Sequence, residues 1–362
     1  MTRILIIGGY GNFGTYISKK LATQVNFQVI VAGRNETKAK ELATQINAEW
    51  AVLDITKNLD EILIHFAPNI VIHTSGPYQG QSYHVAEACI KHGCHYLDLA
   101  DARGFVSQIT QLDAKAKAAN ISIISGASSV PCLSSAVINK FKPLFKSLNA
   151  IDYGIATAQQ TNQGLATTSS ILTYTGKPFQ TLQNGTSKTI YGWQDLHLEK
   201  YPSLGKRWLS NCDVPDLSIF PEIYPEIKTI RFFAGAEIPL AHIGLWVLSW
   251  LPRLKIIKTL SSFDRFLLFL AKKLDILGTG NSAFHMHMNG KSSEGKPLKK
   301  SFYILAFDGD GPLIPCIPAI LLTKKLATEK NIPTGAFSSA GLLTLQEYIE
   351  GLEGLKIRYI ES

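Results

Sequence analysis

The sequence lacks a long hydrophobic run and internal repeats, and it is poor in cysteine. Its longest apolar run, at about residues 238–251, contains His242 and stops at Pro252, whereas a helix that crosses a bilayer needs about 20 apolar residues. Five cysteines occur in 362 residues, an odd number that argues against a disulfide framework. The first residues lead straight into an apolar strand without a signal peptide. These absences predict a soluble, cytoplasmic protein with no transmembrane segment.

Positive charge is in excess but is not concentrated. The chain has 36 Lys and Arg against 28 Asp and Glu, a net charge of +8, yet its densest basic clusters are pairs such as Lys272-Lys273. We therefore expect a solvated basic surface and no nucleic-acid partner. Hydrophobic residues make up 46% of the sequence, enough for a large core, and the length favours two domains.

Apolar runs alternate with helical patterns through the first part of the chain. Strands are predicted at residues 3–7, 27–32, 50–54, 69–75, 94–100 and 121–127. This alternation indicates an α/β fold with a Rossmann-type, doubly wound parallel sheet. Beyond it, strand-like pieces such as DYGIATA and a hairpin ending in SFYILAF indicate an α+β domain with a largely antiparallel sheet. We predict domains at 1–130 and 131–311, and a segment 312–362 that folds back on the first domain.

A glycine-rich loop follows the first strand and precedes a helix. Its residues, Gly9, Tyr10, Gly11, Asn12, Phe13 and Gly14, fit the pattern G-x-G-x-x-G. In this context one glycine allows the tight turn, one lets the backbone approach a pyrophosphate, and the last lets the helix pack on the strand. The anion then meets backbone N–H groups at the helix N-terminus. The loop predicts a dinucleotide site.

The end of the second strand decides which dinucleotide is expected. An NAD site places a carboxylate there for the ribose hydroxyls, but no Asp or Glu occurs before Glu36. Arg34 stands at that place, and its planar guanidinium suits a 2′-phosphate or stacks on adenine. Asn35 and Lys38 are close enough to assist, and Asn35 is also a candidate N-cap. We therefore predict NADP(H) as the cofactor.

Further candidates lie where other strands end, the edge at which open α/β sheets bind ligands. Additional cofactor-binding candidates are Asp54, Ser75, Gly76 and Pro77. Tyr78 is the first catalytic candidate, as a proton donor or a neighbour of the nicotinamide, although an aromatic that only packs on the cofactor fits equally. Asp98 and Asp101 could orient a substrate or cap the following helix.

These motifs resemble those of the saccharopine dehydrogenase-like oxidoreductases. The matching stretches are GGYGNFG, VAGRN, VIHTSGPY and GCHYLDLAD, and CDVPDL, GDGPLIPCIPAILLTKKLA and PTGAFSSAGLLTL look like those of divergent bacterial members. The resemblance implies an NADP-binding Rossmann domain, an α+β domain, and a homodimer formed through the sheet of the second domain. It leaves the substrate open, because members act on amino-acid adducts and some relatives reduce lipid-like intermediates.

The predicted function is therefore NADP(H)-dependent hydride transfer to or from an unidentified imine, carbonyl or enoyl substrate. One alternative is a redox-inert protein that binds dinucleotide, and another is a trans-acting reductase on lipid-like substrates. The apolar stretches 238–252 and 263–277 are rich in Trp, Phe and Leu. They are typical of core or subunit interface, and an apolar tunnel or a peripheral membrane contact is the alternative.

No metal site is expected from the sequence. Cys89, His92, Cys94 and His95 are close together, but they straddle a helix end and a buried strand, so their side chains should diverge. His285 and His287 share one face of a strand, and the sequence offers no obvious third ligand for them.

Overall fold

The computed structural model describes residues 1–161, 164–328 and 332–362. Its strands are β1 (Thr2–Ile7), β2 (Phe27–Gly33), β3 (Glu49–Val52), β4 (Ile70–His73), β5 (His95–Asp98), β6 (Ser122–Ser125), β7 (Ser147–Thr157), β8 (Pro178–Gln183), β9 (Thr186–Tyr191), β10 (His197–Tyr201), β11 (Gly205–Asn211), β12 (Thr229–Ala236), β13 (Ser282–Lys291), β14 (Pro297–Ala306), β15 (Gly335–Ser338) and β16 (Ile357–Glu361). Its α-helices are α1 (Asn12–Ala22), α2 (Glu36–Gln45), α3 (Leu59–Phe66), α4 (His84–His92), α5 (Arg103–Ser107), α6 (Asp113–Ala118), α7 (Ser134–Phe141), α8 (Leu165–Tyr174), α9 (Asp216–Ile223), α10 (Pro239–Arg253), α11 (Asp264–Lys273), α12 (Ile317–Ala327) and α13 (Leu345–Gly351). Among the described residues, no helix is both long and apolar enough to cross a bilayer.

The chain divides into two compact units, each built from two separate segments. The first unit consists of Met1–Ala136 and Leu313–Gly351, and the second consists of Val137–Pro312 and Leu352–Ser362. All of the cofactor-binding and catalytic candidates named from the sequence lie in the first unit.

The first unit contains a parallel sheet of seven strands among the described residues, in the order β15-β6-β5-β4-β1-β2-β3. The strands are apolar because helices cover both faces, and every residue of β4 and β6 is buried. Leu5, Ile30, Val71, Tyr96 and Ile123 supply one core side chain from each of five strands. The chain passes from β1 to β2 and β3 on one side and then to β4 on the other, so the strand order reverses beside β1. The predicted Rossmann-type fold is confirmed.

A late segment of the chain completes this sheet. Strand β15 pairs in parallel with β6, and Ser339 N donates to the carbonyl of Ser125 at 2.9 Å. Helix α12, which begins with Pro318 in its first turn as predicted, packs against α1, β4 and β5. The Cys316 thiol lies 3.7 Å from the carbonyl of Phe13. These contacts tie the segment to the cofactor loop and to the far edge of the sheet.

The second unit contains a mixed sheet in the order β10-β11-β12-β7-β13-β14-β16. Strands β12 and β7 are parallel, and the other pairs are antiparallel. The predicted hairpin is present, with Ser282 to Lys291 of β13 paired to Ala306 to Pro297 of β14. The largely antiparallel α+β prediction is therefore confirmed.

The β10–β11 hairpin leaves the plane of this sheet. Strand β11 pairs with β12 only through Ser210 and Asn211. Strands β10 and β11 stay paired with each other from His197 opposite Leu209 to Tyr201 opposite Gly205. Tyr201 and Leu209 of the hairpin pack in one cluster with Ala283 of β13 and Leu305 of β14. The hairpin therefore crosses the face of the sheet, and residues of β10 lie close to β13 although the two strands are not neighbours in the sheet order.

Candidate functional site

The glycine loop makes a tight turn directly after β1. Gly8 has a φ of +77°, a left-handed conformation that glycine adopts without strain. Its N–H donates to Ala32 O at 2.8 Å, and Gly11 N donates back to Gly8 O at 2.8 Å. Gly8 was not among the predicted residues, although the Gly8-Gly9 pair in the sequence marks such a turn.

Close packing between the loop and α1 explains the last glycine of the motif. A Cβ on Gly14 would lie 2.1 Å from Gly8 O and 2.8 Å from Gly9 Cα, so any side chain there would force the loop to move. A Cβ on Gly9 would lie 2.9 Å from Ile6 O. Gly11 is the N-cap of α1 and makes no side-chain cap, and the first turn of the helix carries no acidic residue. The helix therefore presents its N-terminus to the loop as a site that suits an anion.

Tyr10 connects this loop to the end of β2. Its ring lies against Gly33, where a Cβ would come within 2.5 Å of the ring. Its hydroxyl accepts a hydrogen bond from Asn35 N at 2.8 Å, and Asn35 Oδ1 accepts from Lys38 N at 3.0 Å, which confirms Asn35 as the N-cap of α2. Arg34 lies between these contacts with its side chain exposed. The guanidinium therefore projects from a backbone that is fixed on both sides.

Asp54 lies at the end of β3 and shares this edge with Arg34. Its Oδ1 accepts from Thr56 N at 3.1 Å and from Thr56 Oγ1 at 2.8 Å. These hydrogen bonds, followed by the charges of Lys57 and Arg34, lower the pKa of the Asp54 carboxyl. The carboxylate closes the turn into α3, and its predicted contact with a cofactor stays a prediction.

The end of β4 lies beside the glycine loop. Thr74 Oγ1 donates to Ile7 O at 2.8 Å and to Gly8 O at 3.1 Å, and a Cβ on Gly8 would lie 2.6 Å from Ser75 Oγ. Gln81 Nε2 donates to Ser75 O at 3.0 Å and to Pro77 O at 2.7 Å. The segment Ser75-Gly76-Pro77 is thereby held next to the loop, where the strand order of the sheet reverses and where Rossmann-type sheets bind nucleotides.

Tyr78 is buried beneath this segment. Its hydroxyl donates to His73 O at 2.7 Å, and its ring packs on His73 and Phe105. Burial, together with the charges of Asp98 and Asp101, raises the pKa of the hydroxyl well above its usual value. In this arrangement the hydroxyl proton is already used in a bond to the backbone. The structure thus gives Tyr78 a packing contact, and its catalytic role stays a prediction.

Asp98 and Asp101 have different environments although both follow β5. Asp98 is fully buried, and its Oδ1 accepts from Gly126 N at 2.8 Å, from Ala100 N at 2.9 Å and from Ser125 Oγ at 3.0 Å. Burial raises the pKa of this carboxyl, and the hydrogen bonds lower it. Burial is the larger effect, so the pKa is raised to about 6. Asp101 is exposed just before α5. The site therefore brings Tyr78 and Asp98 together below the sheet edge and leaves Asp101 at the surface.

The first unit matches a known family over most of its length. Residues 4–124 fit the family model described as the saccharopine dehydrogenase NADP binding domain. Residues 4–124 belong to the saccharopine dehydrogenase NADP-binding domain family. The predicted family, the NADP(H) cofactor and the class of NADP-dependent oxidoreductase are confirmed by this match.

One solved structure shows the same fold over the whole length of the chain. Apo saccharopine dehydrogenase (L-Glu forming) from Saccharomyces cerevisiae superposes with a TM-score of 0.71 at 13% identity, with 100% of each chain covered. An amine dehydrogenase from Mycobacterium smegmatis superposes with a TM-score of 0.47 at 10% identity, covering 92% of this chain and 94% of that one. No curated protein matches the chain. The first of these likenesses extends the saccharopine dehydrogenase-like fold to the second unit.

Arg207, Glu237 and Asp216 of the second unit have hydrogen-bond partners within that unit. Arg207 Nη2 lies 2.9 Å from Glu237 Oε1, and the same carboxylate accepts from Thr279 N at 2.8 Å and from Gln159 N at 2.9 Å. Tyr153 donates to the buried Asp216 at 2.7 Å. These groups hold loops of the second unit together.

The cysteine and histidine group around the end of α4 does not converge. Cys94 lies 3.7 Å from the carbonyl of Cys89, whereas His92 points to Asp60 at 2.6 Å. All five cysteines, which lie in the described part of the chain, are buried and form no disulfide. This group therefore offers no common centre for a metal ion among the described residues.

Proposed function

We propose that the protein is an NADP(H)-dependent oxidoreductase that transfers a hydride to or from an imine, carbonyl or enoyl carbon. The observation that carries this proposal is the tight loop from Gly8 to Gly14, which packs against the N-terminus of α1. Next to it, the end of β2 is followed by a cation, Arg34, and not by an acidic residue. The printed NADP-binding description of the matching family supports the same cofactor.

The residues present fit the cofactor. The glycines keep Cβ atoms away from the space that a pyrophosphate needs, and a side chain at position 14 would collide with the loop backbone. Arg34 supplies a fork of donors for a 2′-phosphate, and Ser75 to Pro77 border the loop on the other side. Bound NADPH would supply the hydride, while these residues bind and orient it.

The proposal predicts turnover that depends on the glycine cradle. The wild type should oxidise NADPH with at least one member of a panel of imines, ketones and enoyl compounds, measured by loss of nicotinamide absorbance. Gly14→Ala should bind NADPH at least tenfold more weakly and lose turnover, because its Cβ would meet Gly8 O at 2.1 Å.

Gly104→Ala is the matched control, since a Cβ at that position, in the short helix α5, has nothing within 4 Å. It should keep both NADPH binding and turnover, and its far-UV spectrum provides the reference for folded protein. Tight NADPH binding without turnover on any compound of the panel would favour the redox-inert alternative.

A second candidate, a reductase on lipid-like substrates, is favoured by the surface of the second unit. Helix α10 buries His242, Ser249 and Pro252, whereas Leu240 and Val247 are 68% and 54% exposed. Helix α11 buries no residue. Of the nineteen large hydrophobic residues that are exposed in the described part of the chain, eleven belong to this region: Leu240, Ile243, Val247, Leu254, Ile256, Phe263, Phe266, Phe269, Leu270, Ile276 and Leu277. Such a concentration marks an interaction surface.

The charges around these side chains indicate an anionic lipid surface as the partner. Residues 239–277 contain six basic residues and two acidic ones, and Lys255, Lys258, Arg265, Lys272 and Lys273 are exposed. One of the acids, Asp275, is engaged by Gln159 Nε2 at 2.8 Å. Aromatic and aliphatic side chains ringed by cations are the composition of interfacial helices, in which each basic residue adds about 1 kcal/mol near an anionic leaflet.

We expect the wild type to co-sediment with vesicles that contain phosphatidylserine. Phe266→Glu combined with Phe269→Glu should reduce binding at least tenfold, because two half-exposed rings would no longer enter the acyl layer and two charges would oppose it.

The control is Ile64→Glu, which changes a 67% exposed side chain of the first unit and should leave vesicle binding unchanged. Equal sedimentation of the paired Phe variant and the wild type would remove this candidate. Concentration-dependent dimers that the same variant abolishes would instead assign the surface to the predicted homodimer.

A further inference from the structure

Two strands of the second unit bring two imidazoles and a carboxylate to one point. His287 Nε2 lies 3.2 Å from Glu199 Oε1, and His285 Nε2 lies 4.0 Å from Glu199 Oε2. The three candidate ligand atoms all lie within 4.8 Å of one another. Glu199 is on β10 and the histidines are on β13, so the cluster exists because the β10–β11 hairpin crosses the face of the sheet.

The opposite nitrogen of each imidazole is held by a hydroxyl. Tyr201 Oη lies 2.8 Å from His285 Nδ1, and Ser301 Oγ lies 2.9 Å from His287 Nδ1. These contacts fix both rings with Nε2 directed toward the carboxylate. Histidines that bind metals through one nitrogen are usually oriented in this way through the other.

His285 is the member whose contacts do not explain its position. It is 0% exposed, and among the described residues its Nε2 has no hydrogen-bond partner. A buried nitrogen without a hydrogen-bond partner destabilises the folded state. A cation between His285, His287 and Glu199 would bind this nitrogen in the tautomer whose proton is on Nδ1, facing Tyr201 Oη.

We propose that Glu199, His285 and His287 bind one divalent transition-metal ion. Bonds of about 2.0–2.1 Å in a tetrahedral arrangement place ligand atoms roughly 3.4 Å apart, close to the spacings of 3.2 and 4.0 Å found here. Two imidazoles and one carboxylate suit zinc and neighbouring ions such as cobalt and nickel, and disfavour magnesium and calcium.

A third histidine lies beside the carboxylate. His197 Nε2 lies 3.4 Å from Glu199 Oε2, and its ring stacks on Phe233. His197 is more exposed than the other three residues and lies outside the group whose ligand atoms are all within 4.8 Å of one another, so it borders the proposed site and is not counted among its ligands. The ion would then join the β10–β11 hairpin to the β13–β14 hairpin, and its binding energy would add to the stability of the second unit.

The test uses full-length, tag-free protein that has been treated with a chelator and then titrated with CoCl2 or ZnCl2. The wild type should bind one ion per chain, show a visible d–d absorption band with cobalt, and melt at a higher temperature with zinc. His285→Gln and Glu199→Gln should each lose the band and at least tenfold in affinity.

His287→Gln provides a second variant at a less buried position, in case the others do not fold, and it should lose the band as well. His242→Gln is the matched control, because His242 is also buried on the second unit but has partners at both nitrogens, Ser210 Oγ at 3.0 Å and Ala236 N at 3.4 Å. It should retain the cobalt band. A wild type with no cobalt band and no zinc-dependent melting shift, or a band that survives in all three ligand variants, would overturn the proposal.

Discussion

Arg34→Ala should lower the affinity for NADPH by roughly 10- to 150-fold while the affinity for NADH changes little. Hydrogen bonds to charged groups contribute about 1.5–3 kcal/mol, which corresponds to this range. The side chain is exposed, but Tyr10 and the Asn35 cap hold its backbone at the end of β2, so little ordering is needed when a phosphate binds. Fluorescence titration with both nucleotides measures the effect.

Lys19→Ala is the control for the loss of one positive charge in the same unit. Lys19 is exposed in the last turn of α1, at the end opposite the cofactor loop. It should bind both nucleotides as the wild type does. A wild type that binds NADPH and NADH equally would defeat the role assigned to Arg34.

Asp98→Asn should become increasingly stable relative to the wild type as the pH rises. Burial raises the pKa of Asp98 from 3.8 to about 6 in the folded state. Because the pKa is higher in the folded state, the protonated Asp98 of the wild type contributes its full stability below pH 3.8. That contribution is lost as the pH rises through about 6. This difference corresponds to roughly 3 kcal/mol of unfolding free energy. The asparagine keeps an oxygen for the three donors and has no charge to bury.

The measurement is urea unfolding of both proteins at several pH values between about 4 and 8. The difference in unfolding free energy should grow by roughly 2–3 kcal/mol across this range. The buried histidines His73, His242 and His285 have lowered pKa values and weaken both proteins in acid, so their effect cancels in the comparison.

Asp113→Asn is a control that should show the opposite pH dependence of stability. The hydrogen bond from Lys117 lowers the pKa of this partly exposed carboxyl, so its contribution to stability is present at neutral pH and is lost as the pH falls. Its substitution should therefore be most costly at the higher pH values. A difference between Asp98→Asn and wild type that does not vary with pH would refute the buried-charge explanation.

The cofactor half of the site could be predicted because its determinants are contiguous in sequence. A strand, a glycine loop and a helix follow one another within residues 2–22, and the residue after the next strand, Arg34, has its place set by the sheet. Local rules for turns and caps therefore suffice, and Asn35 caps α2 as expected.

Features that depend on the path of loops and hairpins could not be predicted. Tyr78 follows β4 as expected, but the bond of its hydroxyl to His73 O is determined by how the Ser75-Gly76-Pro77 segment folds back. Glu199 could not be paired with His285 and His287 because β10 and β13 are not neighbours in the sheet. The exposure of apolar side chains on α10 could not be predicted either. An apolar helix has the same sequence pattern whether its apolar face packs in a core or against a partner.

The pairing of β15 with β6 has a consequence for how this protein is made. Residues 335–338 have to leave the ribosome before the parallel sheet gains its seventh strand. The whole of residues 126–334 therefore emerges while the edge of β6 is open. An unpaired edge in a nascent chain is a template for the wrong partner. A shortened chain that stops at residue 136 would keep that edge exposed permanently, so the nucleotide-binding half cannot be cut out as one continuous piece.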